Sequence, residues 1–203
     1  MQETISGTFF PEGTLLRIDD VSVNLDLNRL TKFLDLVRSK YQKVSILLAV
    51  SPMVFDMDKW EPNNESTKER VFPAILNAMS DHRVYFNVEK IGIPVWLNDV
   101  AEKYECTVAT HGLIHVDHRL LTKDLQELSV ISSASLVGTR IFVPPFNKYN
   151  DDTVAICNKN KIELVRWEDG WTHLGYHPFS DNEKKYYVHL HDYPGEKLFS
   201  LFQ

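Results

Sequence analysis

Two adjacent carboxylates, Asp19 and Asp20, close an apolar run that begins at Thr14-Leu15-Leu16-Arg17-Ile18. Neighbouring side chains on a strand point to opposite faces. In a central strand the two carboxylates cannot both face solvent. At its C-terminal edge they can share a crevice, where open and barrel-type α/β folds keep their ligands. There one carboxylate can hold a cation while the other works on a water beside it. Asp is also common at strand ends and turns, so a solvated Asp-Asp turn is the plain alternative for the dipeptide alone.

His111 and His115 stand at H-x3-H spacing in His111-Gly112-Leu113-Ile114-His115. Two imidazoles so spaced can meet one metal from a helical turn or a tight loop. The chain has 8 histidines, enough for such a pair to arise by chance, and it holds a second, His173 and His177. That second pair lies in Trp171-Thr172-His173-Leu174-Gly175-Tyr176-His177-Pro178, which reads as loop. The first pair follows a short β-branched run, 106–110, where a parallel sheet puts its ligands, and it is the preferred metal pair. His189 and His191 are two apart in a strand-like segment and should share a face.

The elements that position these residues follow from periodicity. Strands are expected at 14–18, 44–50, 84–88, 106–110, 140–143, 162–167 and 186–191. The run 44–50 is continuously apolar, the mark of a strand buried on both faces. Helices are expected at 26–40, 69–79, 94–104, 120–136 and 151–160. Leu27, Leu30, Leu34 and Val37 give the first its apolar stripe, with Asp26 as cap; Leu121, Leu125, Leu128 and Ile131 give the fourth its stripe. Residues 56–68 read as a surface loop, and 170–183 as a long loop of aromatics, His, Gly and Pro, a kind that often carries function. Strands alternating with helices favour a mainly parallel sheet or barrel.

Composition narrows the partners. A length of 203 residues suits one domain with its own core, and 43% hydrophobic with 25% charged residues reads as globular. A net charge of −6 argues against nucleic acid, which needs a basic face. No stretch approaches the roughly 18 apolar residues of a membrane span. Cys106 and Cys157 stand apart with no CxxC spacing and make no disulfide framework. Met1-Gln2-Glu3-Thr4 has neither the basic region nor the apolar run of a secretory leader, and a cytoplasmic location is expected.

In chain order, Asp19-Asp20, His111-x3-His115, Pro144-Pro145-Phe146, Trp167-Glu168-Asp169-Gly170-Trp171 and Leu190-His191-Asp192 resemble the polysaccharide deacetylase family, the NodB-homology group or carbohydrate esterase family 4 in its broad sense. The resemblance runs from about residue 14 to 193 and implies a single catalytic domain over 1–203, a distorted (β/α) barrel of about seven strands with a metal at their C-terminal ends. It implies Asp19 as general base, and Asp20, His111 and His115 as ligands of a divalent metal, zinc by default. It implies His191 as general acid, oriented by Asp169 or failing it Glu168. The backbone N–H of Phe146 becomes an oxyanion donor, Trp167 or Trp171 a wall for a sugar ring, and His189 a substrate neighbour.

The implied reaction is removal of an N-acetyl group from an acetamido sugar or polysaccharide. The implied setting is the building of a bacterial surface polysaccharide such as O-antigen or capsule. Three departures stand out. Val143 occupies the place of an Arg that pairs with the base, and Arg140, Arg166 or Arg17 is left to substitute. His189 replaces a leucine, and the first motif ends in Val21, not Gly. The competing readings are a glycan-binding protein with an altered site, supported mainly by the missing Arg, and a metallohydrolase of another amide or ester. His118, beside Asp117, is expected at the surface.

Overall fold

The computed structural model describes residues 13–54, 90–174 and 184–192. The loop expected at 56–68, the helix at 69–79, the strand at 84–88 and His177 lie outside the described residues. Strands β1 (Leu15–Val21), β2 (Ser45–Val50), β5 (Cys106–Thr110), β6 (Ile141–Phe142), β7 (Glu163–Leu164), β8 (Thr172–His173) and β9 (Lys185–His189) form one sheet in the order β7-β6-β5-β2-β1-β9-β8. Every pairing in it is parallel. β3 (Met53–Val54) and β4 (Lys90–Ile91) make a separate antiparallel ladder. The first and last strands of the sheet in sequence, β1 and β9, are neighbours, and the sheet curls into a half-barrel; β7 and β8 end it and share no ladder. This is the expected distorted barrel.

Alternation along each strand separates two cores. Leu16, Ile18, Ile46, Leu48, Val50, Tyr186 and Val188 face outward and are buried under α1 (Leu27–Lys40) and α2 (Leu97–Lys103). Each such side chain removed from water contributes about 1.5–3 kcal/mol. Leu47, Ala49, Ala109 and Val143 form a smaller cluster on the inward face, and Leu15 packs against it. Arg17 and Asp19 continue that inward alternation from Leu15. The helices start where their caps say: Asp26 accepts from the N–H groups of Asn28 and Arg29, and Asn150 forms a capping box with Thr153 at α4 (Asp151–Lys159).

Several expectations need correcting. Helix α3 (Lys123–Val137) buries Leu125, Gln126, Ser129, Val130, Ser133 and Ala134, while Ile131 is exposed. Leu121 and Leu125 of the expected stripe are buried, but beyond them the buried face runs through Gln126, Ser129 and Ser133, each with a hydrogen-bond partner. The strand expected at 162–167 spans two residues and gives way to a 3-10 turn, Trp167–Asp169. The strand expected at 186–191 ends at His189, so His191 sits in a 3-10 turn, Leu190–Asp192. β8 lies inside the segment expected to be loop.

Candidate active site

A bulge at the C-terminal end of β1 brings both carboxylates to one crevice. Ile18 pairs with Leu48 and Val21 with Val50, so two β1 residues stand against one of β2. Asp20 takes up the extra residue with φ 58°, a left-handed conformation that costs a non-glycine residue about 1 kcal/mol or more. Strict alternation would have sent Asp20 to the outer face. The bulge lifts it over the strand end instead, while Asp19 stays inward, paired with His189 of β9.

Asp20 meets the first histidine pair. Its Oδ1 lies 3.5 Å from His111 Nε2 and 3.1 Å from His115 Nε2. The three form a cluster of ligand atoms able to hold one metal ion. His111 is buried, and its Nδ1–H donates to the Val143 carbonyl at 2.8 Å. That bond leaves Nε2 as the lone-pair nitrogen, and this buried atom makes no well-aligned hydrogen bond. A cation would satisfy it, so the residues present fit a divalent metal with two nitrogen donors and one oxygen. Burial works to raise the Asp20 pKa, but His111, His115 and His189 outweigh it and hold the carboxyl well below its usual range. Burial pushes His115 down to about 4, against the opposing pull of Asp20. For His111, burial is outweighed by Asp20 and Asp19, and its pKa moves up.

The H-x3-H segment is a tight loop, not a helical turn. Gly112 has φ 80°, and a Cβ there would stand 3.0 Å from the Ile114 carbonyl oxygen and 3.1 Å from His118 Cε1. His118, expected at the surface, is fully buried beneath this loop. Its Nδ1 bonds the Val116 carbonyl at 3.1 Å, and its Nε2 lies 3.2 Å from Ser129 Oγ, which in turn accepts from Leu113 N at 3.1 Å. Burial drives its pKa down to about 4, so it is a neutral core histidine that shapes the loop.

Asp19 is held by Arg17. The Arg17 Nη2–H donates to Asp19 Oδ2 at 2.8 Å and to Asn147 Oδ1 at 2.7 Å, and Nε lies 2.8 Å from Asp19 Oδ1, off the line of a good hydrogen bond. Both side chains are buried, at 0% and 2% exposure. The guanidinium lies 4.5 Å from the Trp171 ring and 5.2 Å from the Tyr187 ring. Of the three candidates to replace the absent arginine, Arg140 and Arg166 are exposed and Arg17 is the one that pairs with Asp19. Val143 belongs to the inward apolar cluster and lends its carbonyl to His111. Two residues apart on one strand, Arg17 and Asp19 face the same way, a signal that period-2 alternation carries.

The remaining expected residues divide. His191 Nδ1 is 3.7 Å from Asp20 Oδ2, and His189 Nε2 is 3.9 Å from the same oxygen and 3.8 Å from Asp19 Oδ2. Phe146, in a 3-10 turn with φ 56°, sets its half-exposed ring 4.2 Å from that of His115. The turn's own bonds run from Asn147 N and Lys148 N, outside the Phe146 N–H. Trp167 is exposed at the rim, its ring edge-on to Tyr187. Trp171, by contrast, is buried over Arg17 with its indole N–H on the Arg166 carbonyl, so it supports Arg17 and is no open sugar wall. Asp169 is also corrected: it pairs with Lys185 at 3.7 Å, and Glu168 bonds the Tyr149 hydroxyl, so among the described residues the carboxylate facing His191 is Asp20. His173 packs against Tyr187 and His189, away from the Asp20 cluster. Sequence reasoning missed Asn147, whose left-handed backbone at φ 57° beside Phe146 turns it toward Arg17.

No protein-family model and no curated protein matches the sequence. Solved structures do match in shape. A family 4 carbohydrate esterase pseudoenzyme from Bacillus anthracis shares 12% identity at TM-score 0.56, over 94% of this chain and 58% of that one. A mutant of that pseudoenzyme with restored enzymatic activity gives TM-score 0.55 at 12% identity, over 94% of this chain and 60% of that one. A family 4 carbohydrate esterase from Streptomyces lividans, in complex with acetate, gives TM-score 0.50 at 12% identity over 93% of this chain and 83% of that one. The chain thus spans less than two thirds of the length of the pseudoenzyme it matches. The fold is that of the family 4 carbohydrate esterases, the polysaccharide deacetylase barrel, in a divergent form.

Proposed function

We propose that this protein is a metal-dependent hydrolase that removes the N-acetyl group from an acetamido sugar, in a cytoplasmic step of bacterial surface polysaccharide synthesis. The observation that carries this reading is the pairing of two units at one strand end. Asp20, His111 and His115 converge on one point, and beside them stands a buried Asp19 locked by Arg17. Asp20, His111 and His115 would hold the cation, most simply zinc, whose contribution is to polarise the amide carbonyl and ease deprotonation of water. Asp19, fixed by Arg17 and kept off the cation, accepts the proton of the attacking water. His191, facing Asp20 Oδ2, protonates the leaving amine. The Phe146 N–H, outside the turn's own bonds, would serve as donor to the developing oxyanion. Trp167 and His189 line the approach of the sugar.

The glycan-binding alternative drew its main support from the missing arginine; the Arg17–Asp19 pair weighs against it, and the pseudoenzyme among the matched structures keeps it as the second reading. Hydrolysis of another amide or ester on the same scaffold is the reading that an acyl-group panel separates. The test is acetate release from acetamido sugars, free and nucleotide-linked, by chelated protein before and after zinc or cobalt is restored. Metal-dependent acetate release supports the reading. Shape-selective binding of an acetamido sugar without turnover replaces it with the binding protein.

A further inference from the structure

We propose that Asn147 is a positioning residue: through Arg17 it ties Asp19 to the turn that carries Phe146, so that one side chain sets both. This rests on the function proposed above. The guanidinium of Arg17 is buried, and among the described residues only its Nη2 makes well-aligned hydrogen bonds. Nη2 carries two N–H groups and makes two bonds, to Asp19 Oδ2 at 2.8 Å and to Asn147 Oδ1 at 2.7 Å. Arginine has donors alone, so the Asn147 atom that meets it is the carbonyl oxygen. The Trp171 and Tyr187 rings, 4.5 and 5.2 Å from the guanidinium carbon, attract the cation without a directional bond. Asn147 is thus the second point that fixes which way the guanidinium faces, and with it the carboxylate of Asp19.

The same bond acts on the turn. Phe146 and Asn147 are consecutive residues with φ 56° and 57°. Residues other than glycine keep that conformation where their surroundings impose it. Within the turn, Asn147 N donates to the Pro144 carbonyl and Lys148 N to the Pro145 carbonyl. Arg17 adds an anchor from β1. Glycine would meet φ 57° freely; what asparagine adds is the oxygen. A shift of Asn147 moves its neighbour Phe146, whose ring stands 4.2 Å from that of His115 and whose N–H is the proposed oxyanion donor. Asp19 lies on β1 and Phe146 in the turn after β6, and the Arg17–Asn147 bond joins the two. The reaction needs water and carbonyl set against each other, and a misplacement of about 1 Å costs up to about 100-fold in rate.

The experiment uses Asn147→Gly, which adopts the turn's backbone at least as easily and lacks only the side chain, alone and combined with Arg17→Met. Acetate release from acetamido sugars at saturating zinc gives kcat and KM. Asn147→Gly should lower kcat by about 10–100-fold with KM within about twofold. In the Arg17→Met background the same change should alter kcat by less than about twofold, because the link is already cut. Urea unfolding of metal-free protein supplies a second cycle, in which glycine's own effect on the chain cancels. Asn147→Gly should lower the unfolding midpoint more in the parent than in Arg17→Met. An Asn147→Gly variant that turns over as fast as the parent, that raises KM alone, or that loses kcat equally in both backgrounds overturns the positioning role and leaves the proposed function standing. Equal urea shifts in the two backgrounds overturn it as well. A parent that releases no acetate overturns the proposed function, and the positioning role falls with it.

Discussion

Replacing Arg17 by methionine removes the charge while filling much of the slot between Trp171 and Tyr187. Asp19 would then be a buried carboxylate, 2% exposed, with its guanidinium partner gone. Breaking a buried ion pair from one side costs about 3–5 kcal/mol, because the remaining charge is left uncompensated. Loss of the guanidinium's contacts with the two aromatic rings adds about 0.5–2 kcal/mol. Urea unfolding at neutral pH should therefore show Arg17→Met less stable than the parent by several kcal/mol. Arg17→Met with Asp19→Asn should recover a large part of that loss, since the stranded charge is gone. A cycle of the two single variants and the double variant isolates the coupling. Turnover of Arg17→Met should also fall, toward the 10²–10⁴-fold that loss of a general base typically costs. If Arg17→Met unfolds at the same urea concentration as the parent and the cycle shows no coupling, the pair does not hold the base and the reasoning fails.

Asp20→Ala, His111→Ala and His115→Ala should each lose the tightly bound cation with the barrel intact, by metal analysis and circular dichroism, whereas His173→Ala should keep it. Asp169→Asn should leave turnover within about twofold, because an exposed pair with Lys185 is worth little and the residue does not reach His191; a large loss would restore the orienting role it was expected to have. His118 predicts a pH effect. It is neutral in the fold, with a pKa pushed down to about 4, and protonates near 6.5 when unfolded. Its contribution is intact above about pH 6.5 and is lost as pH falls toward 4, at up to about 1.4 kcal/mol per pH unit. In metal-free protein His115 acts with the same sign and His111 with the opposite sign. Comparing His118→Asn with the parent therefore isolates the term: the variant should lose about 2 kcal/mol less between pH 7 and pH 5. Equal slopes would show that His118 titrates normally.

Much of this site was legible because its residues lie at strand ends, where periodicity and order are strongest. The Asp19-Asp20 step and the H-x3-H after β5 needed only the rule that parallel strands gather ligands at their C-terminal edge. What period 2 could not give was Asp20 itself: its place depends on a bulge and a left-handed backbone, and nothing in Asp19-Asp20-Val21 announces either. Arg17 was one of three candidates, and inward alternation from Asp19 would have singled it out. His118 looked like a surface residue because its neighbours Asp117 and Arg119 are polar and pair with each other. Its burial comes from a loop that wraps over it, and loop paths leave no periodic trace. The partly misread face of α3 has a similar cause: Ser129, Ser133 and Gln126 are buried because they bond loop and helix backbone, which a hydrophobic pattern does not register. The two-residue strands β7 and β8 owe their existence to neighbours across the sheet, not to local propensity.

The central claim is that Asp19 is a base beside a metal it does not bind. The most direct measurement is acetate release by Asp19→Asn and parent protein at equal tight-metal content, on the same acetamido sugar. The account predicts unchanged metal and a rate lower by about 10²–10⁴-fold, since an amide cannot take the water's proton. A variant that keeps its metal and deacetylates as fast as the parent would contradict it.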